Sequence, residues 1–263
     1  MISPESSTAF YIGDFGIRFY SIIMFFAIIC GVLFSVFIAK KSYFAVKPEI
    51  IWDMLPILVL SALAGARLYY VVLDWGFYSK NLGEILAVYN GGLSIHGAIL
   101  GGFAGLIVYV RKNKLNLWNY ADVCSYGLIL GQIIGRLGNF FNIEAFGKPC
   151  YLPEWICLYV PPVKRPVEYL DTAYFHPAFL YEMLWNIFSL FVLCMFAKKL
   201  VKINSGVVFL AYLTLYSLGR MIIEPFRLDS VLSINGVHFA EFVSIGLLVF
   251  AALMIFARAR GKQ

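Results

Sequence analysis

Three arginines stand inside apolar runs of this sequence: Arg67, Arg136 and Arg220. A charged side chain at mid-bilayer costs on the order of 2.5–3.5 kcal/mol on insertion scales, so three of them ask for a task. Counting about 1.5 Å per residue from the cytoplasmic end of each run puts Arg67 about 24 Å up, Arg136 about 27 Å and Arg220 about 21 Å. His96, four residues into a run that enters from the outer side, falls in the same layer. One arginine alone is as well explained by snorkelling or a paired core charge; three at one level are not. Tyr216, Arg220 and Glu224 follow one another at helical spacing and form a stripe. Arg136 and Asn139 share a face, and no acid lies within the same turn, which makes an external anion the expected partner. Guanidinium is planar, multiply donating and charged even when desolvated, so such a layer suits a phosphate at headgroup depth. His96 can exchange a proton near neutral pH and is the candidate general base or acid.

These side chains need helices to hold them. Of the 263 residues, 61% are hydrophobic and 14% charged, and the apolar residues gather into runs near twenty long, the length that crosses about 30 Å of hydrocarbon. The runs predict an all-α integral membrane protein, a single seven-span domain over residues 1–263. Its spans fall near 18–39, 51–73, 92–110, 118–140, 177–197, 206–226 and 239–257. Lys and Arg in the loops and tails alternate, with twelve on one side, from Lys40 through Lys262, and six on the other. That bias predicts the N-terminus outside and the C-terminus cytoplasmic. The first run is too long for a signal-peptide core and is expected to remain as a span. A net charge of +6 serves topology here, and no nucleic-acid partner is expected.

Glycines at four-residue spacing, Gly97, Gly101 and Gly105 in the third run and Gly127, Gly131 and Gly135 in the fourth, predict faces where helix backbones approach closely. The stretch 142–176 is polar and holds five of the ten prolines. It reads as an external loop over the bundle, either a cover for the site or a plain spacer. Cys150 and Cys157 share that loop, and a disulfide and two free thiols are equally compatible with it. Cys30, Cys124 and Cys194 lie in apolar runs as packing residues. His96, His176 and His238 are scattered without HxxE or CxxC spacing, so no metal and no cofactor are expected. His176, beside Pro177, is a candidate cap for the fifth span.

The segments GARLYYV, GGLSIHGAILGG, GQIIGRLGNFFNIEAFG, HPAFLYE and YSLGRMIIEPFRLDS resemble the prolipoprotein diacylglyceryl transferase family, in order and over most of the chain. GRLGNFFNIEAFG, residues 135–147, is similar to the family signature. The resemblance implies a bacterial inner-membrane enzyme that moves the diacylglyceryl group of phosphatidylglycerol to the lipobox cysteine of a prolipoprotein, releasing glycerol phosphate. By motif position Arg136 would bind the lipid phosphate, with Asn139, Glu144 and Gly147 completing the signature. Arg220, Glu224 and Tyr216 would face the same cavity, with Arg67 and Arg227 in the substrate-binding set. His96 would be the essential histidine, followed here by Gly97 and Ala98 where the family commonly has two glycines. Tyr20 resembles the family's N-terminal tyrosine. Partners implied are phosphatidylglycerol, the prolipoprotein signal peptide and membrane lipids, with the active site toward the outer leaflet.

The residues support that chemistry without the name. A thioether needs a thiolate, and a cysteine with a pKa near 8.5 is only a few per cent ionised at neutral pH, so a base such as His96 helps. The departing phosphate must be held while its charge grows, a task for two fixed arginines. A lipid or anion transporter would place such charges near the midplane, commonly between inverted repeats, which this chain lacks. An intramembrane serine protease is disfavoured because no GxSxG elbow is present and Ser94 and His96 diverge on a helix.

Overall fold

A computed structural model describes the chain apart from residues 3, 5, 6, 14, 89, 90, 229–232, 235, 236 and 261–263, and apart from the side chains of 12, 15, 233, 234 and 237–240. Lys262 of the basic count and the side chain of His238 therefore lie outside the described residues. Eight helices are present among those described: α1 Phe19–Ala39, α2 Pro48–Leu73, the single turn α3 Trp75–Tyr78, α4 Ile95–Lys112, α5 Leu117–Asn142, α6 Ala178–Ile203, α7 Val207–Ile223 and α8 Phe239–Arg260. The seven long ones stand where the apolar runs predict helices. Five, α1, α2, α6, α7 with its following turn, and α8 from Glu241, are long and apolar enough to cross a membrane. α4 and α5 carry more glycine and polar residues and fall short of that measure. The all-α expectation also missed three small antiparallel hairpins. These are β1 Thr8–Ile12 with β2 Phe15–Arg18, β3 Leu158–Tyr159 with β4 Tyr174–Phe175, and β5 Ser233–Ile234 with β6 Val237–His238.

The chain forms two compact units, residues 45–120 and the remainder. In the first, α2 and α4 meet along small residues. A methyl on Gly97 or Gly101 would collide with the backbone of Gly65 or Ser61, and one on Gly65 would meet Gly97 and Gly101 in return. Lipid tails offer no hydrophobic drive for helices to associate, so this close approach supplies the contact. The segment between α3 and α4 folds back on α2 through Arg67, whose five N–H donors meet five carbonyls. Nε donates to Ile85 (2.8 Å), Nη1 to Gly91 (2.7 Å) and Gly92 (2.9 Å), and Nη2 to Glu84 (2.5 Å) and Ala87 (3.3 Å). Gly91 and Gly92 have φ of +89° and +70°, a turn that side chains resist. That turn starts α4 at Ile95, three residues later than the apolar run suggests.

In the second unit α1 meets α5 where Gly31 and Gly127 lie backbone to backbone. Polar bonds join the other helices: Tyr126 Oη donates to the Leu193 carbonyl (3.1 Å), Gln132 Nε2 to Tyr212 Oη (2.9 Å) and Trp185 Nε1 to the Leu215 carbonyl (2.8 Å). Asp122, buried in α5, accepts from the amides of Gly206 (2.6 Å) and Phe209 (2.8 Å) and so caps α7 from a neighbouring helix. Between α5 and α6 the loop builds its own core from Ile143, Ala145, Leu158, Val160, Phe175 and Phe179. Cys150 and Cys157 are joined by a disulfide with Cα atoms 5.9 Å apart, which settles the open choice between bridge and thiols. Cys30, Cys124 and Cys194 are free. Lys164 Nζ donates to the Asn142 carbonyl at the end of α5, and Arg165 Nε donates to Val160 O (2.9 Å). The Tyr174 hydroxyl is bonded to Glu154, which raises its pKa above the usual phenol value. His176 does not cap α6 as expected: its Nδ1 bonds the Tyr181 hydroxyl at 2.9 Å.

The small-residue contact is open to a paired test. Gly97→Ala should lower thermal stability in detergent by about 1–3 kcal/mol, because neither backbone can retreat. Gly102→Ala, whose methyl would sit 3.6 Å from Ala62 Cβ, should leave the melting temperature unchanged.

Candidate active site

The second unit carries the charge cluster. α5 presents Arg136 and Asn139 three residues apart, with Arg136 Nη1 3.5 Å from Asn139 Oδ1. α7 presents Arg220, and the tight turn that follows it, Glu224–Phe226, begins with Glu224, so the pair at i and i+4 closes at 2.6 Å. Between them stands Glu182, in the second turn of α6 and 5% exposed. Its Oε2 binds Arg136, and its Oε1 binds both Arg220 (3.0 Å) and Arg227. One carboxylate therefore holds three guanidiniums drawn from α5, α7 and the segment beyond α7. Charges this buried must be paired or pay a heavy desolvation cost, and the shared acid is how three cations tolerate one another.

Glu182 corrects the expectation that Arg136 has only an external anion for a partner. Spacing along one helix reveals only acids within a turn, whereas this acid comes from α6, in the HPAFLYE segment. A glutamate inside an apolar run was the available signal. The Arg220–Glu224 stripe stands as read, with Tyr216 one turn earlier against Tyr212, ring centres 6.3 Å apart. Arg227, counted from sequence among the loop charges, joins the cluster through Glu182.

A cavity of about 370 Å³ opens beside these groups, lined among others by Arg136, Asn139, Glu144, Arg227 and Pro166. A slot of about 20 Å³, roughly the room one water needs, is bounded by Gln132, Arg136, Glu182, Tyr216 and Arg220. Arg136 faces both. Glu144 follows the end of α5, where its amide bonds the Asn139 carbonyl (3.0 Å) and Asn142 Nδ2 donates to its Oε2 (3.4 Å). Its neighbours Ile143 and Ala145 have φ of +51° and +53°, a conformation that costs a branched residue most and that gathers at functional sites. Gly147 has no room for a side chain, because a methyl there would strike the Phe226 carbonyl; its amide donates to His176 O at 2.7 Å. Its part is to let the chain around Arg227 lie against the loop, with which it forms a bridge. Tyr20 of α1 lays its ring over Gly138, inside the signature segment.

The other two sequence candidates belong to the first unit. His96 is exposed in the first turn of α4, its ring 6.0 Å from that of Tyr69. Arg67 is 6% exposed and all its N–H donors are occupied by carbonyls, with the Tyr78 ring 5.1 Å away. In this structure Arg67 clamps the main chain of Glu84, Ile85, Ala87, Gly91 and Gly92, and a headgroup would have to compete with those bonds.

The family model described as prolipoprotein diacylglyceryl transferase matches residues 7–257. The chain belongs to the prolipoprotein diacylglyceryl transferase family. Relatives named phosphatidylglycerol–prolipoprotein diacylglyceryl transferase include one from Acaryochloris marina, 43% identical over 90% of this chain and 84% of its own length. A second, from Synechococcus elongatus, is 42% identical over 92% and 83%. A third, from Gloeobacter violaceus, is 40% identical over 92% and 88%. Family membership and the apolar helices make this a multi-pass membrane protein.

Within the family framework Glu182 is the residue whose loss should be felt first. Glu182→Gln leaves three guanidiniums with one buried carboxylate, and breaking a buried pair typically costs about 3–5 kcal/mol. Thermal unfolding in detergent should show that loss, while Glu154→Gln, exposed in the loop, should change stability far less.

Proposed function

We infer that this chain transfers the diacylglyceryl group from phosphatidylglycerol to prolipoproteins, joining it to the lipobox cysteine as a thioether and releasing glycerol phosphate at the outer leaflet. The observation that carries this reading is the gathering of Arg136, Arg220 and Arg227 on Glu182 beside a cavity that Arg136 and Arg227 line. A phosphodiester headgroup is an anion whose oxygens match the planar, multiply donating guanidinium. The adjoining cavity, walled by Arg136, Asn139 and Arg227, has the volume for a glycerol phosphate headgroup.

The reaction divides among the residues as follows. The cysteine thiolate attacks the glycerol carbon that bears the phosphate ester; the C–S bond forms as the C–O bond breaks, and the bonding pair leaves with the phosphate oxygen. The phosphate gains negative charge during that step, and Arg136 with Arg220 is placed to stabilise it more strongly in the transition state than in the ground state. His96 takes the thiol proton, which ends on the leaving phosphate. Asn139 and Glu144 bind the polar headgroup, and Tyr20, Tyr216 and Gly147 shape the surrounding wall. The acyl chains remain in the bilayer, which fits a seven-span arrangement with the N-terminus outside. The Cys150–Cys157 disulfide supports placing the loop on that oxidising side.

Arg136→Ala should reduce transfer by about 10²–10³-fold or more while the protein remains inserted and folded. Glycerol phosphate release from phosphatidylglycerol vesicles with an added lipobox peptide measures it, and full activity in that variant would remove Arg136 from the site. For His96 the direction is fixed by its role: a base works only when neutral, so the rate falls on the acid side as the imidazole protonates. His96→Asn should lower the rate and abolish that acid limb. A limb that persists unchanged would assign the proton to another group.

A further inference from the structure

The turn closed by Cys150 and Cys157 presents apolar side chains outward, beside a core of buried apolar residues. Its base is buried: Cys157, Leu158 and Val160 are fully covered. Its tip is not, with Tyr151 93%, Leu152 49% and Trp155 76% exposed around Pro153. The disulfide keeps these side chains from folding back, because the ring it closes is short and its stems are held by the amide bonds of Cys150 to Tyr174 O and of Val160 to Ala173 O. Just before the turn stands Lys148, exposed and outside the charge cluster at Glu182.

We propose that this disulfide-tied turn is a membrane anchor that seats Tyr151, Leu152 and Trp155 in the headgroup region of the bilayer. The inference rests on the reading that α5 and α6, from which the loop springs, cross that bilayer. Tyrosine and tryptophan combine an apolar body with a polar tip and collect where hydrocarbon meets water. Lys148 beside them is offset by the exposed Glu154 within the turn, so the aromatic side chains and Leu152, rather than net charge, select the interface. A peptide substrate would cover the patch only during turnover and leave it wet in between; the bilayer is present throughout. The same loop contributes Pro166 to the cavity wall, so anchoring the turn holds one rim of that cavity level with the headgroups.

The test uses the full chain in vesicles of phosphatidylglycerol and phosphatidylethanolamine. The fluorescence of Trp155 is obtained as the difference between the native protein and Trp155→Phe, a change at an exposed position. Trp155 should be quenched by lipids brominated near the glycerol end of their acyl chains, and shielded several-fold from aqueous iodide relative to a free tryptophan amide. The proposal falls if iodide reaches Trp155 as freely as that amide while Trp52 and Trp185, within the helices, are still quenched by brominated lipid. If no tryptophan is quenched by brominated lipid, the spanning reading falls and takes the anchor with it. Shielding that appears only after a lipobox peptide is added would assign the turn to peptide binding and overturn the proposal.

Discussion

A single buried carboxylate organises the site. Without Glu182, Arg136, Arg220 and Arg227 would repel one another in a partly buried setting where water screens them less than at the surface. With it, three helical segments are drawn to one point and their guanidiniums held ready. This arrangement differs from a simple basic pocket. The arginines are partly neutralised at rest, which makes their burial tolerable, and Arg136 and Arg227 still line the cavity beside them.

The scaffold around that point is held by two devices suited to lipid. One is close backbone approach at small residues, between Gly65 and Gly97 in one unit and between Gly31 and Gly127 in the other. The second is the isolated polar bond between helices, as from Tyr126 to Leu193 or from Trp185 to Leu215. Asp122 extends the second device to a helix end, satisfying amides at the start of α7 that the helix itself cannot. Each device fixes relative height and rotation of helices, the quantities that decide whether side chains from different helices meet.

Much of this was legible in the sequence, and the gaps have physical causes. Apolar run length located the seven long helices among the described residues, five of which are long and apolar enough to cross hydrocarbon. Their ends were less visible. α6 continues to Ile203, through Lys198, Lys199 and Lys202, since a helix does not stop where hydropathy does. The Arg220–Glu224 pair could be read from spacing alone, being local. The bond between Arg136 and Glu182 could not, because it depends on how α5 and α6 meet, 46 positions apart in number. The partners of Arg67 were hidden for a further reason: they are main-chain carbonyls, which leave no mark in the side-chain sequence. The outward turn at Trp155 was likewise hidden, since only the folded loop distinguishes an aromatic that joins its core from one that faces away.

The bridge between Gly147 and Arg227 joins two parts that are easily thought of as separate. The loop's backbone is hydrogen-bonded to the strip of chain that carries Arg227, through the amide of Lys148 to the carbonyl of Phe226 at 2.8 Å. Any displacement of the loop at Lys148 would therefore be passed along the backbone to Arg227 and felt at its contact with Glu182, so the two are mechanically one piece.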